Sequence, residues 1–289
     1  MASDKISALE QTANQVRALS IKTVYQAKSG HIGPALSMVE IITTLLFAEL
    51  NWRQFFHQVK DKSQVEQLEF WHDRNLRRDR FVLSKGHAVP SWYAATAVAG
   101  LIPENELIQL RVMGSRLQGH PERRKFAFID ATTGSLGQGQ SEALGYALAN
   151  KIAGRPERVY CIIGDGESNE GQVWETALAA PKFQLDNLVL IVDFNKKQGE
   201  GTNKEVMDIE PLDAKWRAFN WHVQRLDGHN VAALLQAYEQ TRQVKGKPHV
   251  IIADTHKGYL MPGLLFMDGQ HNPVIDDESY NQAIKLLLG

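Results

Sequence analysis

Apolar and polar positions along this 289-residue chain follow two periods. Residues 7–27 place Leu9, Ala13, Val16, Leu19 and Val24 near helical spacing, which predicts an amphipathic helix. A glycine-containing loop at 28–34 separates it from a second expected helix at about 36–47. Residues 58–77 are polar and charged and predict an irregular or helical excursion. Strand-length runs follow at 80–84, 158–163, 188–192, 221–225 and 249–254. Those at 158–163 and 188–192 read as buried strands. Helical pieces are expected up to residue 111, then at 141–151, 212–219 and 231–240. Strands alternating with helices predict an α/β fold with a doubly wound, mostly parallel sheet flanked by helices. No internal repeat, low-complexity stretch or flexible linker breaks the pattern, so a single domain over 1–289 is expected.

Charge and composition narrow the function classes. A formal net charge of −1 gives no basic footprint and argues against nucleic acid. The single cysteine, Cys161, falls in an expected strand, where it reads as a small core residue without a disulfide partner in the chain. The N-terminus lacks a basic region followed by an apolar stretch, and no apolar run approaches membrane-spanning length. A soluble, cytoplasmic protein with no membrane contact is expected.

The strongest chemical signal is Gly164-Asp165-Gly166 at the end of one apolar run, followed by Asn195 at the end of the next. The gap fits one helix plus one strand. In an open parallel sheet, ligands bind outside the carboxyl ends of the strands, and both oxygen-bearing side chains belong there. The glycines allow a sharp turn and a close backbone approach. A carboxylate and an amide oxygen suit Mg²⁺, which takes one or two side-chain oxygens and fills its octahedron with phosphate and water. The segment resembles the thiamine diphosphate (ThDP) motif. Ca²⁺ or Mn²⁺ would accept the same oxygens.

Other segments extend the resemblance in chain order: Lys28-Ser29-Gly30-His31-Ile32-Gly33, Leu83-Ser84-Lys85-Gly86-His87-Ala88, Gln118-Gly119-His120-Pro121 and Thr133-Gly134-Ser135-Leu136-Gly137-Gln138-Gly139. Nearly the whole chain is similar to the N-terminal, diphosphate-binding half of transketolase, in the short form where the enzyme is split into two polypeptides. The resemblance implies metal ligation by Asp165, Asn195 and the carbonyl of Lys197. It implies cofactor contacts from His87, Gly134, Leu136, Gly164, Asp165, Gly166, Glu167, Asn195 and His271. It assigns catalytic roles to His31, His87, His120 and His271. Glu170, with Glu175, would join a network linking two active sites across a dimer interface.

The implied chemistry removes a proton from a substrate hydroxyl as a carbon–carbon bond breaks and returns one to an acceptor oxygen, tasks suited to imidazole. The cofactor would carry the carbanion chemistry. The pyrimidine-binding and C-terminal domains would lie on a second subunit, in a heterotetramer of two chains of each kind (α₂β₂). The substrates would be small carbonyl compounds, with a two-carbon ketol or related acyl unit transferred from a ketose or 2-oxo donor to an aldehyde.

Departures from the family pattern are Ile32 and Pro34 in the first loop, Lys196 and Lys197 after Asn195, Gly199-Glu200-Gly201, and Gln270-His271-Asn272. Two alternatives stay open at this point: an E1 α subunit of a 2-oxo acid dehydrogenase, and a non-catalytic scaffold subunit.

Overall fold

Five segments pair side by side in the computed structural model, which describes residues 2–289. They are β1 (Arg80–Leu83), β2 (Val159–Gly164), β3 (Leu188–Phe194), β4 (His222–Asp227) and β5 (His249–Asp254). Their order is β1-β2-β3-β5-β4 and every pairing is parallel. β2 and β3 are buried along their whole length, as expected of parallel strands covered on both faces. Helices Gly139–Ile152, Gly171–Lys182, Leu212–Ala218 and Val231–Gln243 belong with this sheet. Cys161, Ile163, Leu190 and Val192 pack with Trp216 and Trp221 in its core. The doubly wound expectation is met.

The chain divides into two compact units. The sheet unit comprises Arg77–Gly86 and Ile129–Thr255. The other contains the segments up to Leu76, His87–Phe128 and His256–Gly289. It is helical, with Ala2–Ala27, Ile32–Leu36, Val39–Thr44, Gln64–Trp71, Val89–Val98 and Asp277–Leu288 as its main helices and a small antiparallel pair, β6 (Tyr259–Met261) and β7 (Leu264–Leu265). Buried aromatic rings meet edge to face at its centre: Trp52 with Trp71 at 4.8 Å and Trp71 with Phe128 at 4.9 Å between centroids, a geometry favoured by the ring quadrupoles. Arg17, also buried, pairs with Glu40 and donates to the Tyr259 carbonyl at 3.1 Å.

Several boundaries differ from expectation. The loop expected at 28–34 ends early, because Ile32–Leu36 is already helical. Pro34 lies in that helix's first turn, where an amide has no intrahelical acceptor and the missing N–H is harmless. The helix expected at 36–47 is regular only over Val39–Thr44 and then widens into a π turn, Leu45–Glu49. The helix Asp277–Leu288 was not among the expected elements, although Tyr280, Ala283, Ile284 and Leu287 recur at helical spacing. It is capped by Asp276, whose carboxylate accepts from Ser279 N at 2.7 Å.

In the sheet unit, Asp130 is fully buried. It accepts from Arg78 at 2.7 and 2.9 Å, from Arg80 at 2.9 Å and from the Phe81 amide at 2.8 Å. Burial alone would raise its pKa, but the two guanidiniums and the amide outweigh burial and hold the carboxyl well below the usual range. Replacing Asp130→Ala strands the buried Arg78 charge and should cost about 3–5 kcal/mol, read as a lowered denaturant midpoint. The wild-type contribution should be present above the unfolded carboxyl pKa and fade as pH falls below about 4. An Asp130→Ala midpoint equal to wild type at pH 7 would remove this anchor.

Candidate functional site

β2 and β3 are in register such that Gly164 lies opposite Asp193. Asp165 and Asn195 therefore leave adjacent strands at the same edge of the sheet. Both are buried, at 2% and 6% exposure, so their polar atoms are held by protein rather than by bulk water.

Asp165 Oδ1 accepts from Gly166 N at 2.8 Å. Its Oδ2 accepts from Lys196 N at 2.6 Å and from Asn203 Nδ2 at 2.9 Å. A carboxylate has about four acceptor positions. Three are taken, and the remaining capacity lies on Oδ1, which suits a single bond to a cation. Burial, with the charge of Asp193, pushes the Asp165 pKa up against these hydrogen bonds. A divalent cation would reverse that balance by stabilising the charged form.

The amide of Asn195 has a fixed orientation. Its Nδ2 donates to Asp193 Oδ2 at 3.4 Å, and its Oδ1 accepts from Lys197 N at 3.2 Å. Asp193 is fully buried, paired with the buried Lys85, and accepts a hydrogen bond from the Thr255 hydroxyl. The carboxylate can only accept, so the amide nitrogen must face it and Oδ1 keeps a free lone pair on the opposite side. An outer layer of residues supports a metal ligand in this way. Sequence reasoning missed Lys85, Asp193, Asn203 and Thr255. An aspartate inside the apolar run LVLIVDF was the available signal, because a buried charge demands a partner.

Glu167 is buried and ties three loops together. Its carboxylate accepts from the Ser84 hydroxyl, from Gly137 N at 3.0 Å and from Gly164 N at 3.0 Å. Burial raises its pKa against those bonds. Gly137 has φ +80°, and a Cβ there would stand 2.5 Å from Glu170 Cβ; only glycine fits. Gly134 and Leu136 are half-buried in the same loop. Glu170 caps the helix Gly171–Lys182 by position only, without a side-chain cap bond. Both it and Glu175 are exposed. Among the described residues no group of three or more His, Cys, Asp or Glu side chains is placed to hold a metal. A site of one carboxylate, one amide and one carbonyl is of a different kind, and needs phosphate oxygens to complete its coordination. The residues at this edge fit that requirement.

The four expected histidines come together in the helical unit. His31 lies 5.5 Å from His87, 5.1 Å from His271 and 6.1 Å from His120 between ring centroids, and His87 lies 5.3 Å from His271. Gly33 makes the approach of His271 feasible. Its N–H donates to the His271 carbonyl at 3.3 Å, its carbonyl accepts from Gly258 N at 2.9 Å, and a Cβ would stand 2.0 Å from the Gln270 carbonyl oxygen.

Arg111, unnoticed in the sequence, adopts φ 62° and donates to Ser29 Oγ at 2.7 Å, with its other amino nitrogen 3.3 Å from His31 Nδ1. Burial, then Arg111, His120 and Lys257, lower the His31 pKa to about 4. Burial and Arg111 lower that of His120. These shifts favour the neutral ring, the form that can accept a proton. His222 and His249 face each other at 3.2 Å between Nδ1 atoms in the sheet unit.

Replacing Arg111→Gln should raise the pKa of both His31 and His120, read from imidazole NMR titrations. Titration curves unmoved by the replacement would sever Arg111 from the cluster. In the wild type, the unfolded chain takes up a proton near pH 6.5 that folded His31 refuses until about pH 4. This histidine should therefore make stability fall as pH drops through that window.

Comparison with known proteins places these features in one family. The family model for the thiamine diphosphate binding domain of transketolase matches residues 8–287. The 6-deoxy-6-sulfo-D-fructose transketolase subunit SqwG of Clostridium sp. (strain MSTE9) is 39% identical over 279 residues, covering 96% of this chain and 94% of its own. Human transketolase is 40% identical over 284 residues, covering 97% of this chain but 42% of its own. Among solved structures, transketolase from Leishmania mexicana superposes with a TM-score of 0.84 at 26% identity over 96% of this chain and 41% of its own. That from Campylobacter jejuni gives 0.82 at 29% over 98% and 43%. The chain thus spans less than half the length of the full transketolases it matches and nearly all of the SqwG subunit. No helix of the described residues is long and apolar enough to cross a membrane. The expected resemblance is borne out, the E1 alternative finds no support, and the chain belongs to the transketolase family as its thiamine diphosphate binding domain.

Proposed function

We propose that this chain is the diphosphate-binding subunit of a two-component transketolase-type transferase, moving a two-carbon ketol unit from a ketose to an aldehyde. The observation that carries the reading is the match along nearly the full length of a relative itself named as a transketolase subunit. The sheet edge with Asp165 and Asn195 supports it chemically.

Asp165 Oδ1, Asn195 Oδ1 and the Lys197 carbonyl would hold Mg²⁺, which in turn neutralises the diphosphate. Thiamine diphosphate, when bound, supplies the carbanion equivalent for carbon–carbon cleavage. The protein's part is binding, orientation and proton handling. Gly164, Gly166 and Glu167 shape the turn that faces the diphosphate, and Gly134 and Leu136 lie in the loop assigned to the cofactor rings. His87 and His271 are assigned to the cofactor and the reacting carbon. Neutral His31 and His120 can take the proton of a substrate hydroxyl and return it to an acceptor oxygen, and as donors they can stabilise a developing oxyanion.

The pyrimidine-binding and C-terminal domains are assigned to a second polypeptide, in an α₂β₂ assembly. Exposed Glu175 shares the helix Gly171–Lys182 with Leu178, which is 68% exposed, and exposed Glu170 stands at the helix's N-cap. An apolar side chain beside two uncovered acids supports burial of that face in the assembly.

Replacing Asp165→Ala should lower ThDP-dependent ketol transfer by the assembled enzyme by about 100-fold at ordinary Mg²⁺ concentration. Full activity of the variant would sink the metal assignment. The purified chain alone should show no transfer across a panel of ketose phosphates and 6-deoxy-6-sulfo-D-fructose. Adding the product of the neighbouring reading frame should restore it. Robust turnover by the chain alone would overturn the two-component reading.

A further inference from the structure

Asn203 is 5% exposed and lies at the start of a short helix, Asn203–Val206. That helix is capped without its side chain: Thr202 and Glu205 form a reciprocal capping box, and Asn203 N donates to the Lys196 carbonyl at 3.1 Å. The side chain is therefore free of any role in building the helix. Its Nδ2 donates to Asp165 Oδ2 at 2.9 Å, while its Oδ1 is buried without a hydrogen-bond partner. The amide cannot be reversed, because that would set oxygen against a carboxylate and leave the nitrogen orphaned.

A buried amide oxygen left unpaired costs about 1–3 kcal/mol, so its retention beside a ligand carboxylate points to a partner that arrives with the metal. The two ends of an amide lie roughly 2.3 Å apart, which keeps Oδ1 within about 5 Å of Asp165 Oδ2. A cation about 2.1 Å from a carboxylate oxygen holds its waters within reach of such a position.

We propose that Asn203 is a positioning residue for the metal. Its Nδ2 locks the Asp165 carboxylate so that Oδ1 is presented to the cation, and its own Oδ1 accepts a hydrogen bond from a metal-bound water. The inference rests on the proposed metal-binding role of Asp165, and it assigns Asn203 to the divalent cation rather than to substrate.

The test is Mn²⁺ binding, followed by the electron paramagnetic resonance signal of free Mn²⁺, in saturating ThDP. It uses the full chain purified with whatever assembles on it. Asn203→Leu should weaken Mn²⁺ affinity by about 10- to 100-fold. Without metal, loss of the unpaired oxygen offsets part of the cost of losing the Nδ2 donor, so its thermal midpoint should fall less than that of Asn203→Asp. Asn203→Asp removes the donor and sets a second carboxylate against Asp165. It should lower the metal-free midpoint and enlarge the rise in midpoint that Mn²⁺ produces. Wild-type affinity in Asn203→Leu would overturn the role of Asn203 while leaving the Asp165 site intact. Failure of the unaltered protein to bind Mn²⁺ with ThDP would overturn the metal assignment itself, and this inference with it.

Discussion

The in-step parallel pairing of β2 and β3 is the constraint from which the candidate site follows. Gly164 stands opposite Asp193, so the residues just beyond each strand emerge together. A parallel sheet sends all its strand ends to one edge, and here that edge receives Asp165 and Asn195 on neighbouring strands. Burial on both faces does not by itself set that register, because a continuous apolar run has no polar face to misplace. The buried Asp193, held by Lys85 and Asn195, supplies the contacts that a slip would break. A slip of one residue would reverse every side chain along the strand and carry Asp193 away from Lys85 and Asn195.

The same edge explains why a charged residue is built into an otherwise apolar strand. Asp193 is fully buried, and burying a carboxylate is costly unless it is paired and fully hydrogen-bonded. Lys85, Thr255 and the Asn195 amide meet that requirement. Lys85 sits in the turn after β1, Asn195 follows β3 and Thr255 follows β5. One aspartate thus fastens three strand ends and fixes the direction of the Asn195 oxygen.

Much of this was legible in the sequence, because strand length, apolar continuity and the GDG turn are local signals. The five strands could be read from one-dimensional spacing, while the ordered motifs and the four histidines stood out through the family resemblance they carry. What escaped was whatever depends on residues distant in the chain. Arg111 meets His31 across 80 positions, and Asn203 meets Asp165 across 38. Neither residue type is informative without its partner. Pro34 departs from the family pattern beside His31, but it lies in a first helical turn, which accepts proline without loss. The helix Asp277–Leu288 is the exception, because its stripe of Tyr280, Ala283, Ile284 and Leu287 is a local signal that the sequence did carry.

The balance of buried charge at the sheet edge bears on the kind of ligand it can accept. Asp165, Glu167 and Asp193 are buried there, and Lys85 is the buried cation beside them. Exposed Lys196 is screened by solvent and contributes weakly. An edge with this balance would repel a diphosphate brought to it alone. Backbone N–H groups cannot reverse the sign, because those of Gly137, Gly164, Gly166 and Lys196 already donate to the carboxylates. A diphosphate is therefore compatible with this surface chiefly as a complex with a divalent cation. On the proposed reading a cation would cancel charge on both sides and would take the oxygens with spare capacity on Asp165 and Asn195, which the network of buried partners holds in place.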